Sequence, residues 1–145
     1  MTQILVVDDE IAIREILTEF LTNHGYSTEG AENGAQGIAK ARSMRPQVIL
    51  LDILMPGING IETLKRLRKE SPNSAVIMIS GHADTDLALQ AIELGAYDLI
   101  QKPLDLKYLE RTLLAKIVTL DPSGGPEPGQ EVEGARGSDP GRRPR

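Results

Sequence analysis

The chain has 145 residues, of which 40% are hydrophobic, and this length suits one domain with its own core. It contains no cysteine, which excludes a disulfide framework and a thiolate metal site and fits a cytoplasmic protein. The formal net charge is −5, with acidic and basic residues mixed along the chain, so we expect no direct contact with nucleic acid. The sequence shows neither a signal-peptide pattern nor an apolar stretch of membrane-spanning length, so we expect no membrane contact.

Short apolar runs alternate with helical patterns along the first 120 residues. The runs are too short for typical helices, and helical spacing of apolar residues follows each of them. Strands are predicted at residues 4–7, 26–31, 48–51, 75–79 and 97–100. Helices are predicted at residues 13–21, 35–44, 61–69, 85–94 and 106–117, with Asp84 and Asp105 as N-caps and a turn at Asn33-Gly34. Five strands that alternate with five helices over short connections predict an α/β fold, a doubly wound five-stranded parallel sheet with helices on both faces.

The composition changes after residue 120. Residues 121–145 include 6 glycines and 5 prolines, and Val132 is their only branched aliphatic residue. Such a segment cannot bury enough apolar surface to offset the entropy lost on ordering. We therefore expect a folded domain at residues 1–120 and a disordered tail or linker at residues 121–145.

Polar side chains stand where four of the five predicted strands end. Asp8 and Asp9 follow the first strand, Asp52 the third, Ser80 the fourth and Lys102 the fifth. Parallel strands end at the same edge of a sheet, so these residues can converge on one pocket. Taken alone, Asp52 is more simply a strand cap. Three carboxylates together favour a bound cation, and an all-oxygen donor set suits a hard ion such as Mg²⁺. A lysine and a hydroxyl suit a phosphoryl group, which an aspartate can accept as an acyl phosphate.

Six features of the sequence form a recognisable set. They are VVDDE at residues 6–10, LDILMPG at 51–57, Gly60, ISGH at 79–82, GAYD at 95–98 and Lys102-Pro103. Together they resemble the motifs of the receiver domain of two-component response regulators. The resemblance covers residues 1 to about 118 and implies a flavodoxin-like, CheY-like fold. The residues around Ser80 and Lys102 are most similar to those of receivers of the NtrC class.

The resemblance implies that a sensor histidine kinase passes a phosphoryl group to Asp52. It also implies that Mg²⁺ (or Mn²⁺) is bound by Asp9, by Asp52 and by the backbone carbonyl of Leu54, and by Asp8 through water.

By the same resemblance, Lys102 pairs with Asp52 and then with the phosphoryl group, while the Ser80 hydroxyl bonds a phosphoryl oxygen. The peptide bond before Pro103 is expected to be cis. The switched surface then acts on an output domain or a protein target, or forms a phosphorylation-dependent homodimer.

Three positions invite closer attention. Leu99 stands where receivers usually carry Tyr or Phe, so we expect it to repack without a ring rotation, on the strand face that it shares with Tyr97. Leu54 and His82 each lie two residues beyond a site residue. Leu54 either hinders the water that hydrolyses the acyl phosphate or merely packs the loop, and His82 fits an exposed loop residue better than a catalyst.

Two other functions fit the sequence less well. A haloacid-dehalogenase-type phosphatase needs a second aspartate two residues after its nucleophile, where this chain has Leu54. A nucleotide-binding module needs a phosphate cradle after the first strand, where Asp8 and Asp9 would repel phosphate. We therefore expect a signalling domain with no independent enzymatic turnover. It is either free-standing or the input part of a longer regulator, most simply a regulator of transcription.

Overall fold

The computed structural model of the chain describes residues 2–55, 57–81 and 85–120, with only the backbone described at Thr85 and at residues 116–120. Within this part, five strands alternate with five helices. The strands are β1 (Gln3–Val7), β2 (Ser27–Ala31), β3 (Val48–Asp52), β4 (Ala75–Ser80) and β5 (Asp98–Gln101). The helices are α1 (Ile11–Asn23), α2 (Gly34–Met44), α3 (Gly60–Glu70), α4 (Thr85–Glu93) and α5 (Leu106–Leu120). Three predictions, for His82, for Asp84 and for the tail, fall outside the described residues.

The strands form one parallel sheet in the order β2-β1-β3-β4-β5. The chain moves outward from β1 to β2 and then crosses to the other side of β1 at β3, so the strand order reverses between β1 and β3. Open α/β sheets place their ligands at the carboxyl ends of the strands next to such a reversal. The predicted doubly wound α/β fold is therefore confirmed, and its topology puts the expected site beside β1 and β3.

The inner strands supply most of the aliphatic core. Every residue of β3 and β4 is buried, which explains why these strands read as unbroken apolar runs rather than as alternating patterns. In α1, Leu17 and Leu21 are fully buried, whereas Ile16 is exposed although it follows the same helical spacing. None of the helices in the described part of the chain combines the length and apolarity needed to cross a bilayer.

Several local predictions differ from the structure, among them the start of β2, which lies at Ser27 rather than at residue 26. Asn33 and Gly34 do not form a separate turn, because the Asn33 side chain accepts a hydrogen bond from the Gln36 amide at 2.8 Å and caps α2, which begins at Gly34. Strand β5 begins at Asp98, one residue later than predicted. Tyr97 therefore precedes the strand and is exposed, and its predicted place beside Leu99 on a strand face is wrong.

The chain divides into two compact units, and the boundary between them lies between Glu110 and Arg111, within α5. The site described below lies wholly in the part that ends at Glu110. The predicted domain limit at residue 120 stays a prediction, because the residues beyond it are not described.

Helix α3 begins very close to the end of β3. The Gly60 amide donates a hydrogen bond to the Ile53 carbonyl at 2.7 Å, and the Asn59 side chain caps the helix by accepting from the Glu62 amide at 2.9 Å. A Cβ atom at Gly60 would overlap the Asp52 carbonyl oxygen and the Ile53 Cα. Glycine at this position thus allows the start of α3 to hold the segment that follows Asp52.

Replacing Gly60 by alanine should destabilise the domain, because the added methyl group meets backbone that cannot move aside. We expect the free energy of unfolding, measured by urea denaturation, to fall by about 1–3 kcal/mol. Gly30→Ala is the matched control, since a Cβ there lies 3.4 Å from the flexible Arg14 side chain. It should change stability by less than about 0.5 kcal/mol. Equal effects of the two substitutions would contradict this explanation.

Candidate functional site

The predicted site residues do meet at the carboxyl edge of the sheet. Asp8 follows β1, Asp52 and Ser80 are the last residues of β3 and β4, and Lys102 follows β5. Backbone hydrogen bonds between neighbouring chain segments continue past the strands and hold these ends together. They run from Asp8 N to Ala31 O at 3.1 Å, from Ile53 N to Ile79 O at 2.9 Å and from Lys102 N to Ser80 O at 2.7 Å.

Three carboxylates cluster at this edge of the sheet, and two of them lie beside Lys102. One oxygen each of Asp8, Asp9 and Asp52 lies within 4.8 Å of the other two. Asp8 and Asp52 are buried, whereas Asp9 is exposed. The Lys102 Nζ lies 3.6 Å from Asp8 Oδ2 and 3.7 Å from Asp52 Oδ2. These distances suit charge attraction but exceed the length of a direct hydrogen bond.

Few hydrogen bonds stabilise the two buried carboxylates. Asp8 Oδ1 accepts from the Glu10 amide at 2.9 Å, and Asp52 Oδ1 accepts a long hydrogen bond from the Leu54 amide at 3.4 Å. Asp8 Oδ2 is a buried oxygen for which no hydrogen-bond partner is found within the described part of the chain. Buried polar atoms are usually satisfied, so this one leaves a place for a further ligand.

The electrostatics of the site follow from this crowding. The pKa of the Asp52 carboxyl is raised to about 6, first by burial and then by the charge of Asp8, while Lys102 opposes the shift. Burial also raises the pKa of Asp8, against the lowering effects of the Glu10 amide and of Lys102. Burial lowers the pKa of Lys102, but the charges of Asp52 and Asp8 outweigh it, so the pKa rises on balance and the ammonium stays protonated.

These observations fit a divalent cation. Among the described residues, the cluster offers carboxylate oxygens from three aspartates and no histidine nitrogen. One of these oxygens, Asp8 Oδ2, has no hydrogen-bond partner there. Hard cations such as Mg²⁺ prefer oxygen ligands and retain water in part of their coordination shell. A positive ion would also offset the repulsion that raises the carboxyl pKa values.

The other predicted residues occupy different positions around the cluster. Ser80 is buried at the end of β4, and Leu99 is partly buried in β5, where it packs against the aliphatic core. The side chain of Leu54 is 48% exposed although its amide contacts Asp52. The Lys102–Pro103 peptide bond is cis, as the sequence resemblance implied. His82 lies outside the described residues, and its role stays a prediction.

Two further charged residues contact the site and were not predicted from the sequence. Glu10 Oε1 lies 3.2 Å from Lys102 Nζ, closer than either aspartate. Arg14 donates a hydrogen bond to the backbone carbonyl of Asp8 at 2.7 Å and so supports the loop after β1. A signal for both was available, because Glu10 directly follows the aspartates and Arg14 lies one helical turn beyond it on α1.

The chain is similar to a well-defined protein family. The family model for the response regulator receiver domain matches residues 4–114. The chain is 38% identical over 104 residues to sporulation initiation phosphotransferase F of Bacillus subtilis, covering 72% of this chain and 84% of that protein. The structure of a receiver domain protein (CheY-like) from Methanospirillum hungatei superimposes with a TM-score of 0.81 at 29% identity, covering 86% of this chain and 99% of that chain.

Other relatives are much longer than this chain. It is 40% identical over 128 residues to the protein-glutamate methylesterase/protein-glutamine glutaminase of Bacillus licheniformis, covering 82% of this chain and 36% of that protein. It is 39% identical over 101 residues to the DNA-binding transcriptional regulator NtrC of Escherichia coli, covering 70% of this chain and 22% of that protein. The chain therefore matches only a part of these two proteins.

The raised pKa of Asp52 predicts how stability depends on pH in metal-free protein. Its value of about 6 in the folded state lies above the usual value of 3.8, so the folded protein holds this proton more tightly than the unfolded chain. The resulting stabilisation is complete below the usual value and is lost as the pH rises through about 6. At about pH 7.5, Asp52→Asn should therefore be more stable than the wild type by about 1–3 kcal/mol.

Urea unfolding in the presence of a chelator measures this difference. At about pH 4 it should be much smaller, because the wild-type carboxyl is then protonated in the folded state and partly protonated in the unfolded chain. Glu19→Gln, on an exposed position of α1, changes the net charge equally and serves as the control. A gain of the same size at both pH values would show that the Asp52 charge is not its cause.

Proposed function

Because this chain belongs to the response regulator receiver family of two-component systems, we propose that Asp52 accepts a phosphoryl group from a sensor histidine kinase. The observation that carries the proposal is the convergence of three carboxylates and one lysine at the carboxyl edge of the sheet. Asp52 is the buried member of this cluster that ends the central strand β3. One oxygen of its carboxylate accepts the hydrogen bond of the Leu54 amide, and the other lies 3.7 Å from the Lys102 ammonium.

In the proposed reaction, a carboxylate oxygen of Asp52 attacks the phosphorus atom of a phosphohistidine. The bond between phosphorus and the histidine nitrogen breaks, its electron pair returns to the imidazole, and an acyl phosphate forms on Asp52. The reaction needs the ionised form of Asp52. Any positive charge close to the carboxylate favours that form, which gives Lys102 a role before transfer as well as after it.

We assign the cation to the carboxylates of Asp9 and Asp52 and the backbone carbonyl of Leu54, with Asp8 acting through water. Bound Mg²⁺ (or Mn²⁺) supplies positive charge to the phosphoryl oxygens. Asp8 is held in place by the Glu10 amide and, through its own carbonyl, by Arg14. These contacts fix the loop after β1 independently of the cation.

Lys102 and Ser80 are proposed to read the phosphorylated state. The added group brings about 1.5–2 negative charges and three acceptor oxygens to Asp52. The Lys102 ammonium can pair with one of these oxygens, and the Ser80 hydroxyl can donate to another. Since the Lys102 amide is bonded to the Ser80 carbonyl, both residues belong to one connected segment of the sheet edge. Leu99, partly buried in β5 next to this edge, repacks in response, and its methyl NMR signals would report the change.

The consequence for a larger protein depends on what accompanies the receiver. We propose a domain at residues 1–120, followed by a linker at residues 121–145 that leads to an output domain, with transcription as the output. The partial coverage of NtrC supports this proposal. The high coverage of phosphotransferase F instead favours a free-standing receiver that acts by docking to a protein target or by forming a homodimer. The sequence of the full-length gene separates these two possibilities.

Phosphorylation of Asp52 can be tested with acetyl phosphate and Mg²⁺. Mass spectrometry should show the addition of one phosphate that is lost in base, as expected of an acyl phosphate. Asp52→Asn should take up no phosphate, and a chelator should prevent the reaction with the wild type. Asp86→Asn is a control with the same chemical change at an exposed position of α4. A base-stable adduct, or one that survives Asp52→Asn, would exclude the proposal.

Leu54 is proposed to set the lifetime of the acyl phosphate. Its side chain is exposed while its amide contacts Asp52, so the apolar group lies at the pocket, where it can hinder the attacking water. Leu54→Asn should accelerate dephosphorylation several-fold, measured by following phosphate loss after acetyl phosphate is removed. Ile16→Asn, at an exposed position of α1, should leave the rate unchanged. An unchanged rate in Leu54→Asn would mean that Leu54 only packs the loop.

A further inference from the structure

Among the carboxylates of the described residues, the one nearest the Lys102 ammonium belongs to Glu10, which lies outside the aspartate cluster. Its Nζ is 3.2 Å from Glu10 Oε1, within hydrogen-bond distance, but 3.6 Å from Asp8 Oδ2 and 3.7 Å from Asp52 Oδ2. The Lys102 side chain is 21% exposed and that of Glu10 is 61% exposed. The lysine therefore lies between the buried carboxylates and solvent. Within the described part of the chain, the carboxylate at hydrogen-bond distance from its ammonium is the exposed one, that of Glu10.

In the part of the chain that the structure describes, no role in stabilising the fold is evident for the Glu10 side chain apart from its contact with Lys102. Glu10 is the N-cap residue of α1, yet its side chain makes no capping hydrogen bond. The local structure uses its backbone instead, since its amide donates to Asp8 Oδ1 and its carbonyl accepts from the Arg14 amide at 3.1 Å. Replacing the side chain should therefore leave the start of α1 intact, and the contact with Lys102 is the interaction that such a replacement removes.

We propose that Glu10 is a positioning residue that holds the Lys102 ammonium at the mouth of the site and competes for it with a phosphoryl group on Asp52. The inference rests on the proposed function of Asp52. Before phosphorylation, Glu10 keeps Lys102 beyond hydrogen-bond distance of Asp52 and Asp8. After phosphorylation, Lys102 must leave Glu10 to reach the new oxygens, so breaking the Glu10 contact is part of the free energy of switching.

If Glu10 competes for Lys102, the Glu10 charge should weaken the affinity of the site for a phosphoryl group. Removing its charge should strengthen binding of a phosphoryl group, because Lys102 is then free to move inward. Glutamine preserves the size of the side chain and an accepting oxygen while removing the negative charge. A purely steric role for Glu10 would therefore be kept in Glu10→Gln, whereas the competition would be weakened. Glu10→Ala removes the accepting oxygen as well and should act in the same direction.

The probe for this test is beryllofluoride with Mg²⁺, a non-covalent mimic of the phosphoryl group, titrated into the full chain by NMR. Glu10→Gln should bind it about 2- to 5-fold more tightly than the wild type, a size typical of an ion pair with a partly exposed carboxylate. Glu15→Gln is the matched control, because it changes the same charge at an exposed position of α1. The control should bind as the wild type does.

A double-mutant cycle with Lys102→Met separates competition for the lysine from simple repulsion between Glu10 and the anion. If Glu10 acts through Lys102, Glu10→Gln should have no effect on beryllofluoride affinity in the Lys102→Met background. Unchanged affinity in Glu10→Gln, or an equal gain with and without Lys102, would overturn the proposal. If the wild type also fails to form a base-labile adduct with acetyl phosphate, the function proposed for Asp52 fails first. A wild type that forms the adduct while Glu10→Gln behaves like its control overturns the Glu10 inference alone.

Discussion

The attraction between Lys102 and two buried carboxylates is the interaction on which the site depends. Asp8 and Asp52 are almost fully removed from water, yet neither forms a short hydrogen bond with the ammonium. Buried charge of one sign is costly unless it is neutralised or protonated, and the raised pKa of Asp52 is a direct expression of that cost. The metal-free site thus holds an excess of negative charge that one lysine only partly offsets. Such a site is ready to bind a cation, and with the cation an anionic group.

Backbone hydrogen bonds, rather than side-chain contacts, hold the repelling carboxylates close together. The strands that deliver Asp8, Asp52 and Lys102 are joined by ladder hydrogen bonds that continue past the strand ends. Helix α3 fastens the segment after Asp52 at a point where the Gly60 backbone comes too close for any side chain. The backbone therefore keeps the strand ends that carry Asp8 and Asp52 together despite the repulsion between the carboxylates. A backbone that already holds like charges together favours the binding of an oppositely charged ligand, because little reorganisation is needed when the ligand binds.

The parts of this site that the sequence predicts are those fixed by strand ends. Asp8, Asp52 and Ser80 each follow a buried apolar run, and a parallel sheet brings such ends together whatever their side chains do. The contact between Glu10 and Lys102 is of another kind, since it joins residues 92 positions apart through flexible, exposed side chains. The position of Glu10 beside the aspartates indicates that it is near the site, but no local pattern specifies which group its side chain contacts. The exact start of an element is also poorly specified by local sequence, so β5 was predicted to begin at Tyr97, one residue too early, and the Asn33 capping bond competes with the expected turn.

In the proposed switch, the position of Lys102 between a buried cluster and an exposed carboxylate would govern the exchange. If Lys102 were bonded tightly to Asp52, a phosphoryl group would have to break a buried ion pair before gaining any contact, and the two states would differ greatly in free energy. With Lys102 bound instead to an exposed carboxylate, the exchange replaces a solvated ion pair by one with a doubly charged group. On this proposal, the free energies of the two states would stay close enough for one covalent change to reverse their populations. The exposure of Glu10 would then matter to the proposed switch as much as the burial of Asp52 does.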